Sequence, residues 1–167
     1  SSDVCSSDLA KALNPKKLSM LLQSLKADYD FILIDCPAGV ERGLRNVLNA
    51  GFDQAILVVT PDDIAIRSAE KTAALTEEKT AIRPQLIVNR LDGNLIRRGE
   101  MMTASTISSL MDLPLLGAVP EDEVVRRAML RHTLFIQYDC EARSALLRIA
   151  ARVMGRSIPV FEYGGKK

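Results

Sequence analysis

A carboxylate at the end of an apolar run is the feature of this sequence that most strongly suggests chemistry. Asp35 follows the run Phe31–Ile34, and Pro37 and Gly39 come directly after it. Ligands of open α/β sheets bind outside the carboxyl ends of the strands, and an aspartate at that point can hold the Mg²⁺ of a bound nucleotide. Gly39 would let the backbone approach a phosphate closely. The pattern is short, so it also suits an aspartate that merely ends a strand.

Three further turns place polar side chains directly after apolar runs. They are Thr60-Pro61-Asp62, Asn89-Arg90 and Pro120-Glu121-Asp122. An Asn amide can pair with the edge of adenine, and an Arg guanidinium can stack on a base. Each turn also has a purely structural interpretation: helix capping for the two acidic turns, and bonding to local carbonyls for the Asn-Arg pair.

Composition excludes several classes of function. The chain has 167 residues, of which 47% are hydrophobic and 26% charged, which suits one domain, or part of one, with a real core. A net charge of +1 provides no global field for nucleic acid or an acidic substrate. Three Cys without a C-x-x-C pair, together with a single His, disfavour a structural zinc site and suit a reducing cytoplasm. The sequence shows neither a signal peptide nor an apolar run of membrane-spanning length.

The elements that must position these turns alternate between strand and helix patterns. Buried strands are predicted for residues 30–35, 55–59, 85–88 and 115–119. Helices are predicted from Asn14-Pro15, over residues 40–48, from Asp63 to about Glu78, after a Thr103 cap, up to about Leu130, and from an Asp139 cap to Gly155. This alternation predicts an α/β fold, a mostly parallel sheet with flanking helices. The four turns should therefore share one edge of the sheet, which favours a site at Asp35.

The ends of the chain differ in character from the rest. Residues 1–9 contain a near-duplicated Ser-Ser-Asp pattern and are predicted to be a disordered or artefactual leader. Residues 10–160 are predicted to form one partial domain, and residues 161–167 a short tail. The phosphate-cradling motif G-x-x-x-x-G-K-[ST] does not occur in the sequence.

The order of these segments resembles the C-terminal part of the MinD family, deviant P-loop ATPases of bacterial division-site selection. The matching segments are residues 29–39 (YDFILIDCPAG), 59–62 (VTPD), 65–67 (AIR), 86–90 (LIVNR), 97–102 (RRGEMM) and 116–122 (LGAVPED). The Asp-x-Pro-Ala-Gly and Arg-Gly-x-Met-Met segments favour this family over general parallel-sheet proteins and over ParA-type relatives. The resemblance covers about residues 14–160 and implies a P-loop NTPase fold whose N-terminal part is missing.

The resemblance also implies site residues for ATP and Mg²⁺. Asp35 matches the catalytic, Mg²⁺-associated aspartate, which acts through a bound water. Gly39 belongs to the segment that senses the γ-phosphate, and Asp62 lies near the nucleotide at a dimer interface. The adenine side of the site is implied to consist of two turns, Asn89-Arg90 and Pro120-Glu121-Asp122.

Function and partners follow from the same resemblance. The whole protein is expected to bind Mg-ATP, to form a homodimer across the nucleotide and to hydrolyse ATP when a partner stimulates it. The expected partners are the division-inhibitor and activator proteins of the Min system, which would bind the helix that begins at Asp63. The expected location is the cytoplasm, with peripheral attachment at the inner face of the cell membrane, and no nucleic acid is expected to bind.

Two expectations concern this chain by itself. Family members reach the membrane through a basic amphipathic C-terminal helix; residues 161–167 are too few to form one, so this chain alone is not expected to bind membranes. It is also not expected to hydrolyse ATP, because the phosphate cradle is absent. Two alternatives remain open at this point: a ParA-like DNA-segregation ATPase and a non-catalytic interaction module.

Overall fold

A computed structural model describes residues 14–36 and 42–164 of the chain. The predicted leader at residues 1–9, the candidate Gly39 and the last three residues lie outside these ranges. The chain forms two compact units. The amino-terminal unit contains the described residues up to Ala55 together with Lys71–Arg83, and the sheet unit contains Ile56–Glu70 and the residues from Pro84 onward.

A parallel sheet organises the sheet unit and confirms the predicted fold class. In the described part of the chain it has three strands in the order β1-β2-β3, namely Ile56–Val59, Gln85–Leu91 and Leu115–Pro120. Leu86 and Val88 of the central strand are completely buried. A strand that is covered on both faces consists of consecutive apolar residues, which is why the sequence predicted β1 and β3 to within one residue of their observed bounds. The predicted end of β2 is wrong: the strand continues through Asn89 and Arg90, which were predicted to form a turn, because Leu91 still pairs with Pro120 of β3 after an irregularity in register.

Seven α-helices and one 3₁₀ turn lie in the described ranges. In chain order they are α1 (Pro15–Leu25), α2 (Arg42–Ala50), α3 (Asp63–Thr80), α4 (Gly93–Arg98), α5 (Ala104–Leu110), α6 (Glu123–Leu130), the 3₁₀ turn η1 (Phe135–Gln137) and α7 (Glu141–Val153). Local side-chain and backbone interactions determine where several of these helices begin or end. The Asn14 side chain accepts a hydrogen bond from the Lys16 N–H at the start of α1. Gly51 and Gly155 follow α2 and α7 in the left-handed conformation typical of helix ends.

The start of α7 differs from the prediction. Cys140, rather than Asp139, occupies the N-cap position, and the Cys140 side chain makes no capping bond. Asp139 lies one residue outside the helix and approaches Arg143 at 3.8 Å instead. The short elements α4 and η1 were not predicted at all, because they are too short to show a periodic pattern.

Helix α7 lies against the sheet and closes the main core. Ala142, Ala145 and Ile149 of the helix pack on apolar side chains of the strands: Ile87, Leu116 and Val119. The contact is closest at Gly117 of β3, where an added Cβ would lie 2.2 Å from Cγ1 of Ile149. The absence of a side chain at Gly117 therefore sets how near the helix can approach the strand.

The predicted strand over residues 30–35 is wrong. Residues 31–36 form no β-ladder with any described residue. Ile32 and Ile34 are half-buried against α1 and α2, whereas Phe31 and Leu33 are 57% and 88% exposed. A strand requires hydrogen-bonded neighbours, and an apolar run by itself does not provide them. In the amino-terminal unit the run is covered on one face only.

No helix within residues 14–36 and 42–164 has both the length and the apolar character needed to cross a membrane.

Candidate functional site

The turn after β1 is organised around the carboxylate of Asp62. The Thr60 hydroxyl donates a hydrogen bond to one of its oxygens, and the Ala65 N–H donates to the other at 2.9 Å. The Asp62 backbone N–H in turn donates to the Thr60 carbonyl at 2.8 Å. These bonds favour the ionised form, so the Thr60 hydroxyl and then the Ala65 N–H hold the pKa of Asp62 below its ordinary value. Asp62 therefore caps the start of α3, and its carboxylate is exposed.

The carboxyl end of β2 and the turn after β3 are joined by an ion pair. Nε of Arg90 donates to Oε2 of Glu121 at 2.7 Å, although the two residues are 31 positions apart in the sequence. The hydrogen bond and the charge of Glu121 raise the pKa of Arg90. The Glu121 N–H also donates to the Leu91 carbonyl at 2.9 Å. Two of the predicted site turns therefore lie side by side.

The backbone of Arg90 is left-handed, with a φ of +61°. Non-glycine residues adopt this conformation rarely, and it costs about 1 kcal/mol or more. The Asn89 side-chain oxygen accepts the Arg90 N–H at 2.9 Å, which stabilises the turn. The amide oxygen of Asn89 is thus engaged in the turn, and its amide nitrogen is the group left to offer a ligand.

Asp122 links the start of two helices. Its Oδ1 accepts from the Val124 N–H at 2.9 Å at the start of α6, and its Oδ2 accepts from the Ala142 N–H at 3.2 Å at the start of α7. Pro120 is buried and is paired with Leu91 in the sheet register. The Asp122 carboxylate therefore caps the two helices. The Glu121 carboxylate instead bonds to Arg90, another predicted site residue.

Asp35 belongs to the amino-terminal unit, and its side chain is exposed. The neighbouring Cys36 is half-buried. Burial raises the pKa of the Cys36 thiol, and the nearby charge of Asp35 raises it further. The thiol is therefore held in its protonated, unreactive form.

The donor set suits a magnesium ion that arrives with a nucleotide better than a free-standing metal site. Among the described residues, no group of three or more His, Cys, Asp or Glu side chains could hold a metal ion. Mg²⁺ in proteins is typically held by one or two carboxylates, with phosphate oxygens and waters completing the octahedron. An exposed aspartate such as Asp35 fits that limited role.

Sequence reasoning missed two contributors to this region. Thr60 was named only as part of a turn, yet its hydroxyl is the main group that stabilises the Asp62 carboxylate. The Thr-x-Asp spacing before a helix is the local signal that could have identified it. The bond from Ala142 to Asp122 spans 20 positions and has no local signal.

Comparisons with known proteins agree with this fold. No protein-family model matches the chain. The septum site-determining protein MinD of Helicobacter pylori is 33% identical over 163 residues, which cover 93% of this chain and 60% of that protein. The MinC:MinD cell division complex of Aquifex aeolicus contains a chain that superimposes with a TM-score of 0.83 at 29% identity, covering 92% of this chain and 64% of that one.

A third relative was solved with a nucleotide. MinD of Pyrococcus horikoshii, complexed with Mg-ADP, matches with a TM-score of 0.70 at 30% identity over 84% of this chain and 56% of that one. The chain thus spans about 60% of the length of these relatives. From sequence and fold together, the chain matches a C-terminal portion of MinD proteins.

Proposed function

We propose that this chain is part of a MinD-like ATPase of division-site selection, which binds Mg-ATP and hydrolyses it. The observation that carries the proposal is the ion pair that joins the carboxyl end of β2 to the turn after β3. Arg90 and Glu121 meet there at 2.7 Å, at the carboxyl ends of parallel strands, where ligands of open α/β sheets bind. Support also comes from the Mg-ADP complex of the Pyrococcus horikoshii relative.

The adenine side of the site would use groups that the turn leaves available. The amide nitrogen of Asn89 can donate to a ring nitrogen of the base, because its amide oxygen is engaged by the Arg90 N–H. The guanidinium plane of Arg90 can stack on the base, and Glu121 orients that plane through the bond to Nε. Pro120 and Asp122 would hold the second turn in position, and Asp62 would lie near the nucleotide at a dimer interface.

Asp35 and Gly39 would face the phosphates. Asp35 would hold Mg²⁺ through a bound water, and the Gly39 N–H would donate to the γ-phosphate. When bound, Mg²⁺ neutralises negative charge that develops on the transferred phosphoryl group. The contribution of the chain itself is positioning, which is the main source of catalysis in phosphoryl transfer.

The adenine-side assignment is tested by nucleotide affinity. In the full-length protein, Arg90→Ala should raise the Kd for Mg-ATP about tenfold, equivalent to about 1.4 kcal/mol. Arg143→Ala, which removes a partly buried arginine that pairs with Asp139, should leave the Kd unchanged. Equal Kd values for Arg90→Ala and the wild type would contradict the assignment.

This 167-residue chain alone should not hydrolyse ATP, because its sequence contains no G-x-x-x-x-G-K-[ST] loop. Phosphate release from the purified chain should stay at background with Mg-ATP, and Asp35→Ala should change nothing. Mg²⁺-dependent turnover that Asp35→Ala abolishes would contradict this expectation. The coding sequence upstream of residue 10 discriminates further. A strand followed by a Gly-Lys-rich loop supports the ATPase, and a complete gene without one favours a non-catalytic interaction module.

Partners and location belong to the same proposal. The Aquifex aeolicus relative was solved in complex with MinC, so a division inhibitor of that kind is the first partner we expect, with α3 as its docking surface. We also expect an activator protein, a homodimer across the nucleotide and peripheral attachment to the inner face of the cell membrane. Charge reversal at Arg67, which is exposed on α3, should weaken inhibitor binding in a pull-down, whereas an unchanged interaction would place the partner elsewhere.

A further inference from the structure

A pocket lies between α7 and the chain segment that follows this helix. We call it the α7 pocket; its volume is about 400 Å³, which is within the range of small-molecule sites. The side chains that line it include two carboxylates, a hydroxyl, a guanidinium and two aromatic rings, those of Asp139, Glu141, Ser144, Arg148, Phe161 and Tyr163. The described residues that line it include none that the proposed nucleotide site uses, so the α7 pocket is a second candidate site.

Two aromatic rings form the apolar wall of the α7 pocket. The rings of Phe161 and Tyr163 meet edge to face at an angle of 72°, with their centroids 5.0 Å apart. Tyr163 is 8% exposed, whereas Phe161 is 55% exposed. Edge-to-face packing against a buried ring stabilises the position of the exposed ring. The pocket thus offers an apolar surface that is in place before any ligand arrives.

Arg148 supplies a positive charge that has no acidic partner among the described residues. The residue is half-buried. Its Cζ lies 5.4 Å from the centroid of the Phe161 ring, and its Nη2 donates to the Tyr163 hydroxyl at 3.4 Å. Both contacts are with neutral groups, and a guanidinium has five N–H donors. Since charges that are withdrawn from water are normally paired, Arg148 has both the charge and the donors to hold an anionic group.

Negative charge lies at the other end of the α7 pocket. Glu141 makes no ion pair with any residue in the described ranges, and Asp139 is engaged only at 3.8 Å from Arg143. Positions 141, 144 and 148 follow the i, i+3, i+7 spacing that places side chains on one face of a helix. The Cα atoms of Glu141 and Arg148 are about 10 Å apart along the helix axis. The long side chains of these two residues narrow that gap to the length of a small molecule.

We propose that the α7 pocket binds a small zwitterion with an apolar body, of the class of free amino acids with apolar side chains. The ligand carboxylate would accept a pair of hydrogen bonds from Arg148, and its ammonium group would pair with Glu141. The apolar body would rest against the ring of Phe161. A simple anion or a simple cation would be attracted by one end of the pocket and repelled by the other, so a ligand that carries both charges fits best.

An NMR titration of the isotope-labelled full-length protein with L-phenylalanine tests the proposal. We expect saturable shifts of the amide signals of Glu141, Ser144 and Phe161, with a Kd of about 1 mM or lower. Phenethylamine, which lacks the carboxylate, and hydrocinnamate, which lacks the amine, are the matched probes. Each should bind about tenfold more weakly than L-phenylalanine, because one charged end of the pocket is then left without a partner. The absence of shifts at these residues with L-phenylalanine overturns the proposal, and so does an analogue that binds as tightly as the amino acid.

Two pocket variants and one control locate the binding. Glu141→Gln keeps the size of an exposed side chain and should raise the Kd for L-phenylalanine about threefold. Arg148→Gln removes the guanidinium and should raise this Kd about tenfold. Arg127→Ala, which removes an arginine of α6 that pairs with Glu123, should leave it unchanged. An unchanged Kd for Glu141→Gln overturns the proposal, even if Arg148→Gln disturbs the aromatic wall.

Arg90→Ala separates this proposal from the nucleotide site. The variant should weaken the binding of Mg-ATP if the proposed function is right, and it should leave the Kd for L-phenylalanine unchanged. The two proposals can therefore fail independently of each other.

Discussion

Two apolar runs of this chain have similar sequences and different environments. Residues 86–88 of β2 lie between two parallel strands, and Leu86 and Val88 are completely buried. Residues 31–34 are just as apolar, yet Leu33 is 88% exposed and the run pairs with no described strand. A run of apolar residues therefore indicates only that the segment tends to be buried. Whether both faces are covered depends on neighbours that are distant in sequence.

The largest expected effect is a truncation in the central strand. Leu86→Ala removes a fully buried side chain and should lower the free energy of unfolding by about 2–5 kcal/mol, because it leaves a cavity. Leu33→Ala makes the same chemical change at an exposed position and should stay within about 0.5 kcal/mol. Urea unfolding midpoints of the two variants measure the difference. Similar losses in both would show that residues 31–34 are as well covered as β2.

A second variant tests how closely α7 approaches the sheet. Gly117→Ala places a methyl group against Ile149 and should destabilise the sheet unit by about 1–3 kcal/mol. The cost should shrink in an Ile149→Ala background, since the clashing atoms are then gone. Gly93→Ala is the control, because its new Cβ would meet only ordinary contacts, from 3.4 Å outward. An unchanged midpoint for Gly117→Ala would mean that the helix has room to move away.

A third test compares an aspartate that caps two helices with an aspartate that caps one. Asp122→Ala frees the first turns of both α6 and α7 and should cost about 2 kcal/mol. Asp92→Ala frees only α4, where Asp92 accepts from the N–H groups of Asn94 and Leu95, and should cost about 1 kcal/mol. Thermal unfolding followed by circular dichroism measures both variants. If Asp122→Ala costs no more than Asp92→Ala, the bond to Ala142 adds nothing.

The smallest expected effect depends on pH. The pKa of Asp62 is held below its ordinary value, so its cap adds stability above the unfolded-state pKa of about 4 and loses it as pH falls through the folded-state pKa. Asp62→Asn keeps a capping oxygen but cannot titrate. The melting temperature of the wild type should therefore fall more steeply between about pH 4.5 and pH 2 than that of Asp62→Asn. Asp63→Asn serves as the control in the same turn, and parallel curves for wild type and Asp62→Asn would contradict the assignment.

The parts of the fold that depend on local sequence were predictable. Pro15 after Asn14 and the Gly residues at positions 51 and 155 mark helix ends through the backbone geometry of one or two residues. The three strands of the sheet unit were predicted correctly because each of them pairs with another strand of this chain. The strand over residues 30–35 was predicted wrongly because a strand forms only when two segments pair. The apolar pattern describes one of these segments and gives no information about the other.

The candidate site likewise has features that local sequence predicts and features that it does not. Asp62, Arg90 and Glu121 could be identified as candidate site residues from residue type and from position directly after an apolar run. The bond between Arg90 and Glu121 could not be predicted, because the two residues are 31 positions apart and many other pairs of opposite charge were available. The roles assigned to Asp35, Gly39, Asn89 and Pro120 stay predictions that the affinity and turnover measurements must test.

The two engaged oxygens of Asp122 restrict how this position can change over evolutionary time. Asparagine has only one acceptor oxygen, so it would lose one of the two helix bonds, and glutamate would move its oxygens by the length of a methylene group. Neither close relative of aspartate can therefore replace it at no cost. We expect aspartate to persist here in descendants of this chain.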